Sequence, residues 1–299
     1  MSFDHLQGWV PNERGTQEFL ATLEKPLFCN AAEHLFGDED RDVVLYKSLA
    51  RLVGSDYFLR AQGIGDCVSW GWAHGADALL ATMFDLGLTG EFRQAATEPI
   101  YGGSRVEASG RERGGYSDGS YGGVAAKWVS KWGVLFRQNY GGDNDLTKYS
   151  ATRAKSWGNF GCPDVLEPEA KKHPIKQVAL VSTFKEAGKA IQNGYPVPVC
   201  SGQGFSSTRD KDGFARASGS WAHCMLFYGV RWGSRPGLLC QNSWGKWNSG
   251  GRWPDDQPDG SFWVEADVAD RMLRGRDSFA CSDYVGFPKR KIKWGDMWS

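Results

Sequence analysis

An α+β protein, helical in its first half and β-rich in its second, is what this 299-residue sequence predicts. Three stretches carry the expectation. From Trp72 the apolar residues fall at 72, 76, 79, 80, 83 and 84, the i, i+3, i+4 recurrence of a helix. The runs 222–232 and 237–242 are rich in strand formers, and further strands are expected near 260–265 and 282–286. Pro196-Val197-Pro198-Val199-Cys200 opens this β-rich half.

Just before the first helix, Gly63 and Gly65 make a tight turn that Cys67 closes. The cysteine thereby falls in the first turn of a largely buried helix. Unpaired N–H groups and the positive end of the helix dipole favour a thiolate there, and the thiolate is the nucleophilic form. On this stretch alone the plain alternative, a small buried hydrophobe, stands beside it. Two later stretches add chemistry. His223 begins an apolar strand, and Asn242 ends a second strand as the first residue of Asn242-Ser243-Trp244-Gly245.

In the chain order Cys67, His223, Asn242 the sequence resembles the papain-like cysteine peptidases, particularly their divergent bacterial and viral members. The separation of Cys67 from His223 is 156 residues (223 − 67), near the roughly 130–150 of the papain group. The resemblance implies a two-lobed fold, with a helical lobe carrying Cys67 and an antiparallel β lobe carrying His223 and Asn242. It implies hydrolysis of peptide bonds in the cleft between them. His223 takes the Cys67 proton, Asn242 orients the imidazole through its side-chain carbonyl, and Trp244 covers that bond. Gln62 and the Cys67 backbone N–H hold the oxyanion. Gly119, Ser120, Ala222 and Trp244 line the substrate cleft. Three departures stand out. Gln62 lies five residues (67 − 62) before Cys67 where six is usual, Val68 replaces a tryptophan, and Asp66 sets a carboxylate beside the thiol. A charge there raises a thiol pKa. Two other functions fit the resemblance: a structural or docking component of a phage or virus particle, and a cell-wall amide hydrolase.

Lys plus Arg and Asp plus Glu number 35 each, so no net charge recruits nucleic acid or acidic lipid. No apolar run reaches the roughly 18–20 residues of a membrane helix. The N-terminus lacks a signal-peptide core, and the seven scattered cysteines contain no CxxC pair. The expectation is free thiols, no metal or cofactor, and a cytoplasmic or virion-associated protein. The partner expected is a peptide or protein substrate. The 14 tryptophans and the basic, aromatic tail offer further protein contacts.

Four segments follow in order: 1–54, an N-terminal extension packed on the body; 55–182, the helical lobe; 183–287, the β-rich lobe; and 288–299, the tail. Helices are expected near 16–23, 31–36, 41–52, 124–132 and 184–192, the last opened by a capping box at Thr183 and Glu186. The polar stretch 141–181 reads as an insertion or long interdomain loop, and 202–219 as a flexible charged loop ahead of His223; that loop, or the glycine-rich loop 102–123, gates the cleft.

Overall fold

A computed structural model of the chain describes residues 3–114, 116–248 and 257–290. The tail expected from 288 therefore lies, from 291, outside the described residues. The first half holds α1 (Glu13–Leu20), α2 (Phe28–Ala31), β1 (Val43–Val44), α3 (Tyr46–Val53) and the long α4 (Cys67–Asp85). After these come α5 (Thr97–Gly103), α6 (Gly122–Lys131), α7 (Ala151–Phe160) and α8 (Glu167–Ala170). The α4 sequence is apolar on all sides, which suits the centre of a core and no surface, and nearly every one of its residues is buried. Two glycines bring it against the other lobe. A Cβ at Gly71 would lie 2.7 Å from Cys224 Sγ, and one at Gly75 2.9 Å from Pro198 Cγ.

The second half begins with β2 (Gln177–Leu180) and α9 (Phe184–Gln192), followed by β3 (Val197–Arg209), β4 (Ala215–Arg231), β5 (Gly237–Gln241) and β6 (Ser261–Glu265). It closes with α10 (Ala266–Leu273) and β7 (Phe279–Ser282). Thr183 caps α9 by accepting from the Glu186 N–H at 3.2 Å, while Glu186 accepts from the Ser182 N–H rather than from that of Thr183. The main sheet is antiparallel: β1, β4, β5 and β6 lie in that order, and β3 also pairs with β4. A second, two-stranded sheet joins β2 to β7. This is a papain-like two-lobed α+β fold, as the sequence predicts.

Two loop expectations are corrected. Residues 202–219 are not a flexible loop. They are the outer part of the β3–β4 hairpin, whose pairing continues to Arg209↔Ala215 through three register shifts. Nor is 141–181 a long loop, since it contains α7, α8 and β2. Buried Glu98 on α5 fastens it: the carboxylate accepts from Arg137 Nη1 at 2.6 Å, from the Ser150 N–H at 3.0 Å and from Arg153 Nη1 at 3.4 Å. Burying a carboxylate is tolerable only with such partners, and two of them, Ser150 and Arg153, lie in the stretch that the sequence pattern left structureless.

Candidate active site

The site is assembled where the start of α4 meets the middle of β4 and the end of β5. In the register Leu226↔Gln241, Asn242 sits one residue beyond β5, alongside the middle of β4 that carries His223. Its Oδ1 lies 2.8 Å from His223 Nε2 and also accepts from the Ser243 N–H at 2.7 Å. The second contact fixes the amide, so that the carbonyl oxygen faces the imidazole N–H. The Trp244 ring covers the imidazole at 4.4 Å between centroids, and Trp221 packs on Trp244 at 4.7 Å. Under these rings water is excluded. Burial pushes the His223 pKa down to about 4, against the Asn242 hydrogen bond, which raises it. Among the described residues His223 Nδ1 has no hydrogen-bond partner.

The strand end that carries Asn242 also holds Gln62. The Gln62 N–H donates to Ser243 O at 2.9 Å, and Ala61 pairs with Trp244. Ser243 Oγ donates to Gln62 Oε1 at 2.6 Å, which turns the amide nitrogen toward the cleft. The shortened turn at 63–65 therefore still delivers the side chain, because Gln62 is anchored from across the cleft rather than by the turn alone.

Cys67 is fully buried at the first position of α4. Its thiol lies against Cys224, whose thiol raises the pKa while the backbone N–H groups of Cys224 and Gly8 lower it. Burial outweighs all of these and pushes the thiol pKa far up. The expectation that helix-start placement depresses it is thus corrected, since desolvation of a thiolate here exceeds what a helix end supplies. Among the described residues no hydrogen bond joins Cys67 Sγ to the His223 ring. Asp66 is also unlike its sequence reading. Its Oδ2 accepts from Tyr149 Oη at 3.0 Å and Trp70 Nε1 at 3.2 Å, and its Oδ1 is buried with no partner among the described residues. Burial raises this carboxyl to about 8, so at neutral pH it keeps its proton and sets little charge beside the thiol.

Residues 3–10 lie across the residues that the resemblance assigns to the cleft. Phe3 stacks on Trp244 at 4.8 Å. The Leu6 carbonyl accepts from Gln62 Nε2 at 2.7 Å. The N–H groups of Gly8 and Trp9 both donate to Ala222 O at 3.0 Å, and the Ala222 N–H donates to Gln7 Oε1 at 3.0 Å. Ser120 then pairs with the segment on both sides, its N–H donating to Gly8 O and its carbonyl accepting from the Val10 N–H, each at 2.8 Å. Gly8 lies so close to the turn before Cys67 that a Cβ there would collide with the Gly65 carbonyl. Gly119, at φ +115°, faces Val10 in the same way. Each residue that the resemblance assigns to the cleft touches residues 3–10. The roles of Asp277 and Trp9 were not legible from the sequence, since neither lies in a motif; Ser243 lies in one, but its bond to Gln62 spans more than a hundred residues, as does that of Trp9 to Asp277.

The fold and the placement of these side chains define the class of structure: the papain-like cysteine protease fold. Similarity to particular solved structures bears this out. Xylellain, a cysteine protease from Xylella fastidiosa, matches at 15% identity with a TM-score of 0.55, over 94% of this chain and 93% of that one. A structure concerned with antibody cross-reactivity between the mite allergens Blo t 1 and Der p 1 matches at 16% identity and a TM-score of 0.56, over 93% and 80%. The Amb a 11 cysteine protease, a ragweed pollen allergen in its proform, matches at 15% and 0.51, over 93% and 76%. No protein-family model and no curated protein sequence matches the chain.

Proposed function

We propose that this chain is a cysteine peptidase of the papain type, kept latent by its own residues 3–10. The observation that carries the reading is a peptide carbonyl, that of Leu6, held by Gln62 Nε2 at 2.7 Å beside the Asn242-oriented His223. A site that grips a backbone carbonyl at that amide, and pairs the extended residues after it with Ser120 and Ala222, is built to bind peptides. With the cleft filled, Cys67 and His223 are dry and both neutral. When the segment leaves, water returns, the desolvation cost falls, and the thiolate–imidazolium pair becomes accessible.

In the open state His223 takes the Cys67 proton and the thiolate sulfur bonds to the substrate carbonyl carbon. Gln62 Nε2 and the Cys67 N–H stabilise the oxyanion. Collapse breaks the C–N bond as His223 returns its proton to the leaving amine. Water, deprotonated by His223, then releases the acid and restores the thiol. Hydrolysis of a fluorogenic peptide by the intact chain, by Phe3→Ala and by Trp9→Ala tests this. Loss of a part-buried aromatic contact, about 1.5–2 kcal/mol, predicts turnover at least about 10-fold above the intact chain, abolished by Cys67→Ser. Absence of turnover in both variants, with folding intact, would sink the peptidase reading.

A further inference from the structure

Cys67 has thiol neighbours that the proposed hydrolysis does not use. Cys224 follows His223 on β4 and lies directly opposite Cys200 of β3 in the register of the hairpin. Opposed residues of an antiparallel pair have Cα atoms about 4.5–5.5 Å apart, inside the span of a disulfide. The Cys224 side chain leaves the sheet toward α4. An added Cβ at Gly71 would stand 2.7 Å from Cys224 Sγ, so glycine at that position is what admits the sulfur. Gly71 lies four residues after Cys67, one turn along the same face of α4. Cys224 also bears on the Cys67 sulfur itself: its N–H favours the thiolate there, and its thiol opposes it. Cys200 has Cys224 as its strongest neighbouring group and Cys67 as a weaker one, so Cys224 stands between the two. All three are buried free thiols. Gly8 supplies the other backbone N–H that acts on Cys67, so departure of residues 3–10 uncovers this sulfur. Cys224 and Cys200 stay covered by β3, β4 and α4.

We propose that Cys224 is a modification site, the thiol that captures Cys67 as a disulfide once a peroxide has oxidised it. The proposal rests on the reading that residues 3–10 leave the cleft, and it needs no hydrolysis. In the open state the Cys67 thiolate attacks one oxygen of hydrogen peroxide. The O–O bond breaks, Cys67 becomes a sulfenic acid, and the departing hydroxide takes the proton held by His223. The Cys224 sulfur then attacks the sulfenic sulfur. The S–O bond breaks, the S–S bond forms, and the second hydroxide takes up the Cys224 proton. Both thiols are thereby oxidised and the peroxide is reduced to water. Cys224 is too deeply covered to meet the peroxide itself, so its oxidation runs through Cys67. The disulfide ties up the nucleophile, and a thiol reductant restores it. Without Cys224 a second peroxide carries Cys67 to the sulfinic acid, which thiols do not reverse.

The test treats the Trp9→Ala chain with hydrogen peroxide at neutral pH and maps every cysteine by mass spectrometry. The expected result is a disulfide joining Cys67 to Cys224, with iodoacetamide labelling of Cys67 lost and then regained on reduction with dithiothreitol. In Trp9→Ala combined with Cys224→Ala the recovery is lost, and Cys67 is found as sulfinic or sulfonic acid. A sulfinic Cys67 beside a free Cys224 thiol in Trp9→Ala overturns the proposal, as does a recovery that Cys224→Ala leaves unchanged. A disulfide between Cys200 and Cys224 is decided by Trp9→Ala combined with Cys67→Ala. If it still forms there, Cys224 serves its strand neighbour and the proposal falls. If it requires Cys67, the proposal stands, because exchange onto Cys200 passes through the Cys67–Cys224 bond. Should Cys224→Ala fail to fold, the disulfide map of Trp9→Ala decides by itself. Iodoacetamide labelling before peroxide separates the two readings. A labelled Cys67 that forms no disulfide removes this proposal alone, whereas an inert Cys67 removes the latency reading with it.

Discussion

Asp66 shows at a single residue how burial inverts a sequence reading. A carboxylate next to a nucleophilic thiol looks like an obstacle, but the carboxyl is buried under Trp70 and Tyr149 and stays protonated up to about pH 8. Linkage fixes the consequence for stability. Between the unfolded value near 4 and the folded value near 8 the native state holds a proton that the unfolded state lacks. The contribution is therefore complete below pH 4 and is lost as pH rises toward 8. Asp66→Asn keeps the shape and an acceptor for both donors, and removes the titration. Its stability relative to the parent should rise by roughly 1–3 kcal/mol between pH 4.5 and 8.5, taking about 1.4 kcal/mol per pKa unit as an upper slope. Urea denaturation at the two pH values checks this. Parallel curves for parent and variant would show that Asp66 ionises normally in the fold. Gln62 yields the second prediction at this scale. Its amide is bonded to Leu6 O, Ile64 O and Ser243 Oγ, so it is structural besides the oxyanion role proposed for it. Gln62→Ala in the opened chain should slow turnover about 100- to 1000-fold. It should also lower stability by about 1–3 kcal/mol, because Ser243 and Ile64 lose their partner. A variant with full activity would place another donor in the oxyanion position.

At the level of elements, legibility followed the range of the forces involved. The α4 helix was readable because its periodicity lies within its own residues, and β4 and β5 were readable from continuous apolar runs. The outer β3–β4 hairpin was not. Beyond the sheet body it exposes residues such as Ser207, Thr208 and Arg216, so the alternation that marks a strand is diluted by glycine, serine and charge. Its order comes from Phe205, Phe214 and Ala215, which are buried, and from Phe205 packing on Phe262 at 4.8 Å. Deleting residues 206–216 should therefore lower the melting temperature markedly, with the loss of several kcal/mol of buried apolar area, rather than speed small-substrate attack as a lid deletion would. Thermal denaturation decides, and an unchanged melting temperature would mean that the hairpin is an independent flap. Residues 141–181 were missed for a related reason: their anchors, Glu98 and Asp66, lie elsewhere in the chain.

For the whole molecule, two lobes meeting at a cleft were foreseeable from the order Cys67, His223, Asn242. The occupant of the cleft was not. Residues 3–10 have no periodicity and are held by bonds to Gln62, Ser120, Ala222 and Asp277, which only the folded chain brings together. That arrangement reverses the order in which the cysteines should react. Cys29 is exposed and the other six are buried, so reactivity in the intact chain follows access and not thiolate chemistry. Brief iodoacetamide labelling at pH 7.5, read cysteine by cysteine by mass spectrometry in the intact chain and in Trp9→Ala, tests the central claim most directly. The account predicts that Cys29 alone labels in the intact chain. In the variant Cys67 should label at least about 10-fold faster than before, as expected for losing a part-buried aromatic anchor, with Cys162, Cys200, Cys224, Cys240 and Cys281 still protected. Rapid Cys67 labelling in the intact chain, or an inert Cys67 in the folded variant, would contradict it.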